Sequence, residues 1–74
     1  MGYPSPAIVK RLKSLYPPRI TVVLDSMDDV HAPPVGSKGE VICVDDVGTV
    51  HVKWENGSCL GLVHGQDKFH IERN

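Results

Sequence analysis

Apolar side chains fall at helical spacing between Ser5 and Leu15 and alternate with polar ones from Ile20 onwards, so a short amphipathic helix is followed by strands. Ser5 offers an N-cap hydroxyl, and Pro6 suits the first helical position, where its missing N–H costs nothing. Ile8, Leu12 and Leu15 recur at i, i+4 and i+7 as one apolar stripe, flanked by Val9 and Tyr16, with Lys10 and Lys13 opposite. Pro17-Pro18 ends the helix, because a residue before proline is pushed out of the α region. A helix of about ten residues is marginal alone in water, so the stripe needs a surface. Two surfaces fit: the open end of the chain's own β domain, or a partner that meets the basic face.

Ile20–Leu24 reads as a first strand, followed by a long loop from Met27 to Lys38 that contains Pro33-Pro34 and Gly36. Gly39–Val44 and Thr49–Trp54 are the second and third strands, joined by Asp45-Asp46-Val47-Gly48 with Gly48 suited to a left-handed conformation. Pairing Val44 with Thr49 sets Cys43 opposite Val50 and Val41 opposite Val52, all four on one apolar face. Glu55-Asn56-Gly57 is then either a two-residue or a three-residue loop. The first throws Leu60 and Leu62 to the face away from Val50 and Val52. The second, with Gly57 as a left-handed bulge, pairs Trp54 with Ser58, Val52 with Leu60 and Val50 with Leu62. Burial selects the second, since each apolar side chain is worth roughly 1.5 to 3 kcal/mol when fully buried. Phe69-His70-Ile71 closes the set as a fifth strand after Gly65-Gln66-Asp67-Lys68.

Short strands, one long first loop and tight later hairpins predict a mainly β fold: a five-stranded SH3-like small barrel with an N-terminal amphipathic α-helix. The expected division is residues 1–18 as helix and proline linker and 19–74 as barrel. The expected core is Val22, Leu24, Val41, Cys43, Val50, Val52, Trp54, Leu60, Leu62 and Ile71.

Charge divides at the same point as the pattern. Of 8 Lys+Arg and 9 Asp+Glu, residues 1–20 hold Lys10, Arg11, Lys13 and Arg19 and no acid, while the whole chain has a net charge of −1. That balance disfavours a generic nucleic-acid coat. No apolar stretch approaches the roughly 20 residues that cross a bilayer, and the start of the chain lacks a signal-peptide pattern, so a cytoplasmic protein with no membrane contact is expected. Cys43 and Cys59 fall on opposite sheet faces in the register above, which argues against a disulfide and for free thiols.

Cys59, Ser26, Ser37 and the four histidines are the candidates for nucleophilic catalysis, yet none sits in a nucleophile motif, so no enzyme is expected. No C-x-x-C or H-x-x-x-H pair exists, so no metal or cofactor is expected either. His51, His64 and His70 read as strand-surface residues and His31 as a loop residue. Trp54 suits the core better than a stacking platform. The carboxylates carry the most information. On an SH3-like barrel the first loop and the turns after the second and fourth strands share one side, with Glu55-Asn56-Gly57 at the far end. Asp28, Asp29, Asp45, Asp46 and Asp67 then gather with His31 on one acidic rim. Such a rim either caps its own backbone or docks a basic partner.

The string Ser26-Met27-Asp28-Asp29, Ala32-Pro33-Pro34, Gly36, Gly39, Val41, Val44-Asp45-Asp46, Gly48, Val52-Lys53-Trp54, Asn56-Gly57-Ser58, Leu60, Leu62 and Gly65-x-Asp67 resembles the family called domain of unknown function 4314, over about residues 16 to 71. Glu55 stands where that family usually has Asp, and Cys59 where it has a small or polar residue. The resemblance implies a small bacterial protein of prophage or mobile-element surroundings, with a barrel similar to the Mind-bomb/Herc2 and KOW types; it implies no activity. The expected function is a non-enzymatic protein-interaction module of such origin, binding a basic protein through the rim of Asp28, Asp29, His31, Asp45, Asp46 and Asp67, with inhibition of a host defence as one way to act. The alternative is a nucleic-acid-associated protein whose Lys10, Arg11, Lys13 and Arg19 contact phosphates. A third use of the helix stripe is dimerisation.

Overall fold

The computed structural model describes residues 5–63 and 65–72; the expectation for His64 lies outside them. Helix α1 spans Pro6–Leu15. Its N-cap is Ser5, whose Oγ accepts the Ile8 N–H at 3.3 Å. Tyr16 closes the other end by donating its N–H to the Leu12 carbonyl at 2.9 Å. The strands are β1 Thr21–Ser26, β2 Lys38–Val44, β3 Thr49–Trp54, β4 Cys59–Val63 and β5 Lys68–Ile71, within a residue or two of the sequence pattern.

The strands form one antiparallel sheet in the order β4-β3-β2-β1-β5. The expected closure into an SH3-like barrel is corrected: β4 and β5 are its two outer strands, each paired on one side, and the sheet stays open. The edges approach at one corner, where the Val63 carbonyl accepts the Asp67 N–H at 3.0 Å. They do not go on to pair. The helix packs across the sheet, chiefly on β2. Leu12 joins Val22, Leu24, Val41, Val44, Val50, Val52, Trp54 and Leu62 in one buried cluster. Tyr16 packs on Phe69 with ring centroids 5.1 Å apart.

The β3–β4 register matches the three-residue loop: Val50 faces Leu62 and Val52 faces Leu60, with Gly57 at φ 91°. The β2–β3 register departs from expectation past Val41. Val41 does face Val52, but a bulge then places Cys43 opposite His51 and Val44 opposite Val50. One extra residue on β2 turns every later side chain over. Val44 is therefore buried, whereas Cys43 and Ile42 face solvent, which removes Cys43 from the expected core. Leu60 and Ile71 are half-buried at its margin.

The helix is also turned relative to expectation. Val9 and Leu12 are buried and Tyr16 half-buried, while Ile8 and Leu15 remain 42% and 49% exposed. Five apolar residues on ten exceed what one line of contact absorbs, and the chain's exit chooses among them. Arg19, left-handed at φ 77°, donates its N–H to the Val41 carbonyl at 2.8 Å and so fixes that exit.

Candidate functional site

Three carboxylates of the expected rim, those of Asp29, Asp45 and Asp67, accept backbone N–H groups. Asp29 Oδ1 accepts the His31 N–H at 2.7 Å, and Asp67 Oδ2 accepts the Val63 N–H at 2.8 Å. Asp45 organises the β2–β3 turn: Oδ1 takes the N–H groups of Val47 and Thr49 at 3.1 and 2.9 Å, and Oδ2 lies 2.8 Å from His51 Nε2. Asp46 is nearly fully exposed and forms an ion pair with Lys13 at 2.9 Å, tying α1 to that turn. Asp28 is exposed on the β1–β2 loop. Asp in turns serves its own chain in this way because its short side chain reaches an N–H two residues on.

The topology brings Asp45 and Asp67 to neighbouring turns, because Thr49, whose N–H Asp45 accepts, faces Val63, whose N–H Asp67 accepts. Asp28, Asp29 and His31 lie instead on the loop that enters β2, while Asp45 and Asp46 lie on the turn that leaves it. The β3–β4 turn, expected at the far end, instead adjoins the first loop: Glu55 Oε2 accepts the Lys38 N–H and the Lys38 carbonyl accepts the Glu55 N–H, both at 2.9 Å. Asp67 sits on the β4–β5 connection beside Val63.

The hydrogen bond from His51, and after it the Thr49 amide, hold the Asp45 carboxyl below its ordinary value of 3.8. A carboxyl whose pKa is depressed on folding adds stability above its unfolded pKa and loses it as pH falls through the folded one. Asp45→Ala is expected to cost about 1 to 3 kcal/mol at neutral pH, through the backbone groups left without an acceptor. Urea midpoints of the two proteins should draw together as pH falls below 3.8. A gap unchanged in strong acid would refute the role of the charge.

The basic residues are distributed differently. Lys13 is engaged by Asp46, and Arg19 is exposed beyond the proline turn. Lys10 and Arg11 are exposed and make no ion pair among the described residues. Ile8, Arg11, Leu12 and Leu15 line a shallow depression on the outer side of α1, and Leu15 continues into a second one with Pro17, Ile20 and Ile71. The sequence reading had Ile8, Leu12 and Leu15 as one stripe; the structure divides it, burying Leu12 and leaving Ile8 and Leu15 outside.

Both cysteines are free and exposed. The bulge puts Cys43 on the same outer face as Cys59, correcting the expected opposition: Cys43 lies across from His51, and Cys59 across from Lys53 on the far side of β3. They are two strand spacings apart, more than about 9 Å, which exceeds the roughly 7 Å limit between the Cα atoms of a disulfide. Among the described residues no three His, Cys, Asp or Glu side chains converge as metal ligands. Trp54 is 1% exposed and donates Nε1–H to the Leu60 carbonyl at 3.1 Å, so it belongs to the core.

An open antiparallel sheet capped by one helix, with shallow surface depressions as its exposed features, defines a small β module. The chain belongs to the family described as Domain of unknown function (DUF4314), which matches residues 5–72. That match begins at the N-cap of α1, so the helix is part of the family's unit, whereas the resemblance in the sequence began only near residue 16. No curated protein matches the chain, and no solved structure matches it.

Proposed function

We propose that the chain is a non-enzymatic protein-interaction module that presents the outer strip of α1 to an acidic, amphipathic segment of a partner protein. The observation that carries this reading is the pair Ile8 and Leu15, about half exposed on either side of Arg11. Exposed apolar side chains beside a cation that has no ion pair among the described residues suit a partner that brings both an apolar contact and a carboxylate. The carboxylates support a basic partner less well, since Asp29, Asp45 and Asp67 hold backbone amides and Asp46 holds Lys13. Among the described residues no helix is long and apolar enough to cross a membrane. A reducing cytoplasm suits the two free, exposed thiols.

The exposed Lys10, Arg11 and Arg19 are also available to a phosphate backbone, which has no use for Ile8 and Leu15, and this separates the two ligands. Affinity capture with the unsubstituted chain, with Ile8→Ser/Leu15→Ser and with Lys10→Gln/Arg11→Gln, each with and without nuclease, is the test. All four positions are exposed, so stability should change by about 0.5 kcal/mol or less per site. A nuclease-resistant partner lost in both variants supports the proposal. Capture abolished by nuclease and indifferent to Ile8→Ser/Leu15→Ser assigns the strip to nucleic acid, and a partner retained by both variants removes the strip from recognition.

A further inference from the structure

The open sheet leaves two edges, and they differ in chemistry. β5 carries Lys68 and His70 and is followed by Glu72; His70 is paired with Asp25 and Glu72 with Lys38. Charged side chains on an edge oppose the addition of another strand, because pairing would strip them of water. β4, Cys59-Leu60-Gly61-Leu62-Val63, contains no charge and no proline. The Trp54–Ser58 bond at 2.8 Å sets which backbone groups of β4 face β3. By strict alternation Leu60 and Leu62 exchange bonds with β3, while the N–H and C=O groups of Cys59, Gly61 and Val63 point off the edge. Val63 is already occupied: Asp67 Oδ2 takes its N–H at 2.8 Å, and its carbonyl accepts from Gln66 and Asp67. What remains, among the described residues, is a short donor–acceptor row at Cys59 and Gly61.

We propose that this row pairs with a second copy of the chain, β4 against β4 in antiparallel sense, about a two-fold axis at Leu60. Only this centre uses the free groups and no others: Cys59 of each copy exchanges both backbone bonds with Gly61 of the other. A centre at Gly61 would oppose Cys59 to Val63, whose N–H Asp67 already holds. The two-fold places the Leu60 side chains of the copies side by side on the inner face, and Leu60 is half-buried in the single chain and packs at the margin of the core. A neutral strand meets its own image without charge repulsion, and a symmetric contact closes at two copies rather than growing. Pairing over so short a strand buries less than the roughly 1,200 Å² of a standard interface, so the dimer is weak and reversible. This inference is independent of the helix strip.

Sedimentation equilibrium under reducing conditions, from micromolar to millimolar protein, is expected to show a monomer–dimer equilibrium. Hydrogen exchange at the Cys59 and Gly61 amides should slow as concentration rises. Cys59→Pro removes a donor that points off the sheet, a position that tolerates proline on an edge strand, and should weaken association by about ten-fold or more. Cys59→Ser should associate as the unsubstituted chain does, which excludes a disulfide as the cause. A monomer at every concentration, association indifferent to Cys59→Pro, or protection that builds up on α1 instead of at Cys59 and Gly61 would each overturn the proposal. The exchange measurement needs no substitution and decides the matter even should Cys59→Pro fail to fold.

Discussion

Trp54→Ala is expected to remove about 3 to 5 kcal/mol of folding stability, the usual cost of truncating a fully enclosed large aromatic side chain. A domain of 74 residues has about 4 to 11 kcal/mol in all, at roughly 0.05 to 0.15 per residue, so the loss takes a large share of the native stability and all of it at the low end of that range. Three features place the effect at the upper end. The side chain is 1% exposed and is the largest of the fully buried ones. It lies at the end of β3, opposite Gly39 on β2, so the space it vacates opens on two strands. Its Nε1–H bonds the Leu60 carbonyl at 3.1 Å and so anchors the free edge strand to the core. Trp54→Phe separates the terms: it keeps most of the apolar contact and forgoes the hydrogen bond, and should cost clearly less. Urea unfolding followed by far-ultraviolet circular dichroism gives both numbers, and a loss under about 1 kcal/mol for Trp54→Ala would contradict the placement of Trp54 in the core.

Gly39→Ala is the second large effect, from the opposite cause. An added Cβ would run into Val52 Cγ1, lie 2.8 Å from Trp54 Cε3 and stand 3.1 Å from the Lys53 carbonyl oxygen. Val52 and Trp54 are fully buried and have no room to retreat, and a backbone oxygen does not rotate away. Overpacking of this kind costs about 1 to 3 kcal/mol and occasionally more, and here we expect about 3. The comparison with other glycines isolates the mechanism. At Gly61 the Cβ meets Thr49 Cγ2 at 2.5 Å, the end of a side chain that can turn, so Gly61→Ala should cost less. At Gly57 the surrounding space is open and only the φ of 91° resists, a cost of about 1 to 2 kcal/mol. If the Gly39 effect is steric, Val52→Ala should recover part of it in the double variant, a coupling of the kind that contacting residues show. Simple additivity would refute the clash.

Much of the architecture was legible because short-range rules suffice for it. Ser5-Pro6 and Pro17-Pro18 bound the helix through the chemistry of orphan amides and of residues that precede proline. Gly57 fixes the β3–β4 register because only the three-residue turn turns Leu60 and Leu62 toward Val52 and Val50. Gly48 takes the left-handed conformation expected of it, at φ 85°, but the turn it closes leaves Val44 opposite Val50 and not Thr49. The candidate site was less legible. Asp45 was correctly drawn out of the sequence as a turn residue, but no pattern announced that its second oxygen takes His51. The acidic rim rested on a closed barrel; in the open sheet Asp45 and Asp67 still share one end of β3 and β4, while the first loop enters β2 at its other end.

By itself, then, the sequence determined the helix, the strands, the order of the hairpins and most of the buried set, since each follows from backbone chemistry or apolar period within a dozen residues. Only the tertiary structure decided the bulge after Val41, which exchanges Cys43 for Val44 in the core, because two registers of near-equal apolar content are separated by packing against strands far along the chain. It also decided which edge of the stripe α1 turns inward and that β4 and β5 stay unpaired. Those choices depend on where distant segments meet, and they are the ones that leave Ile8, Arg11, Leu15 and the backbone of Cys59 and Gly61 at the surface.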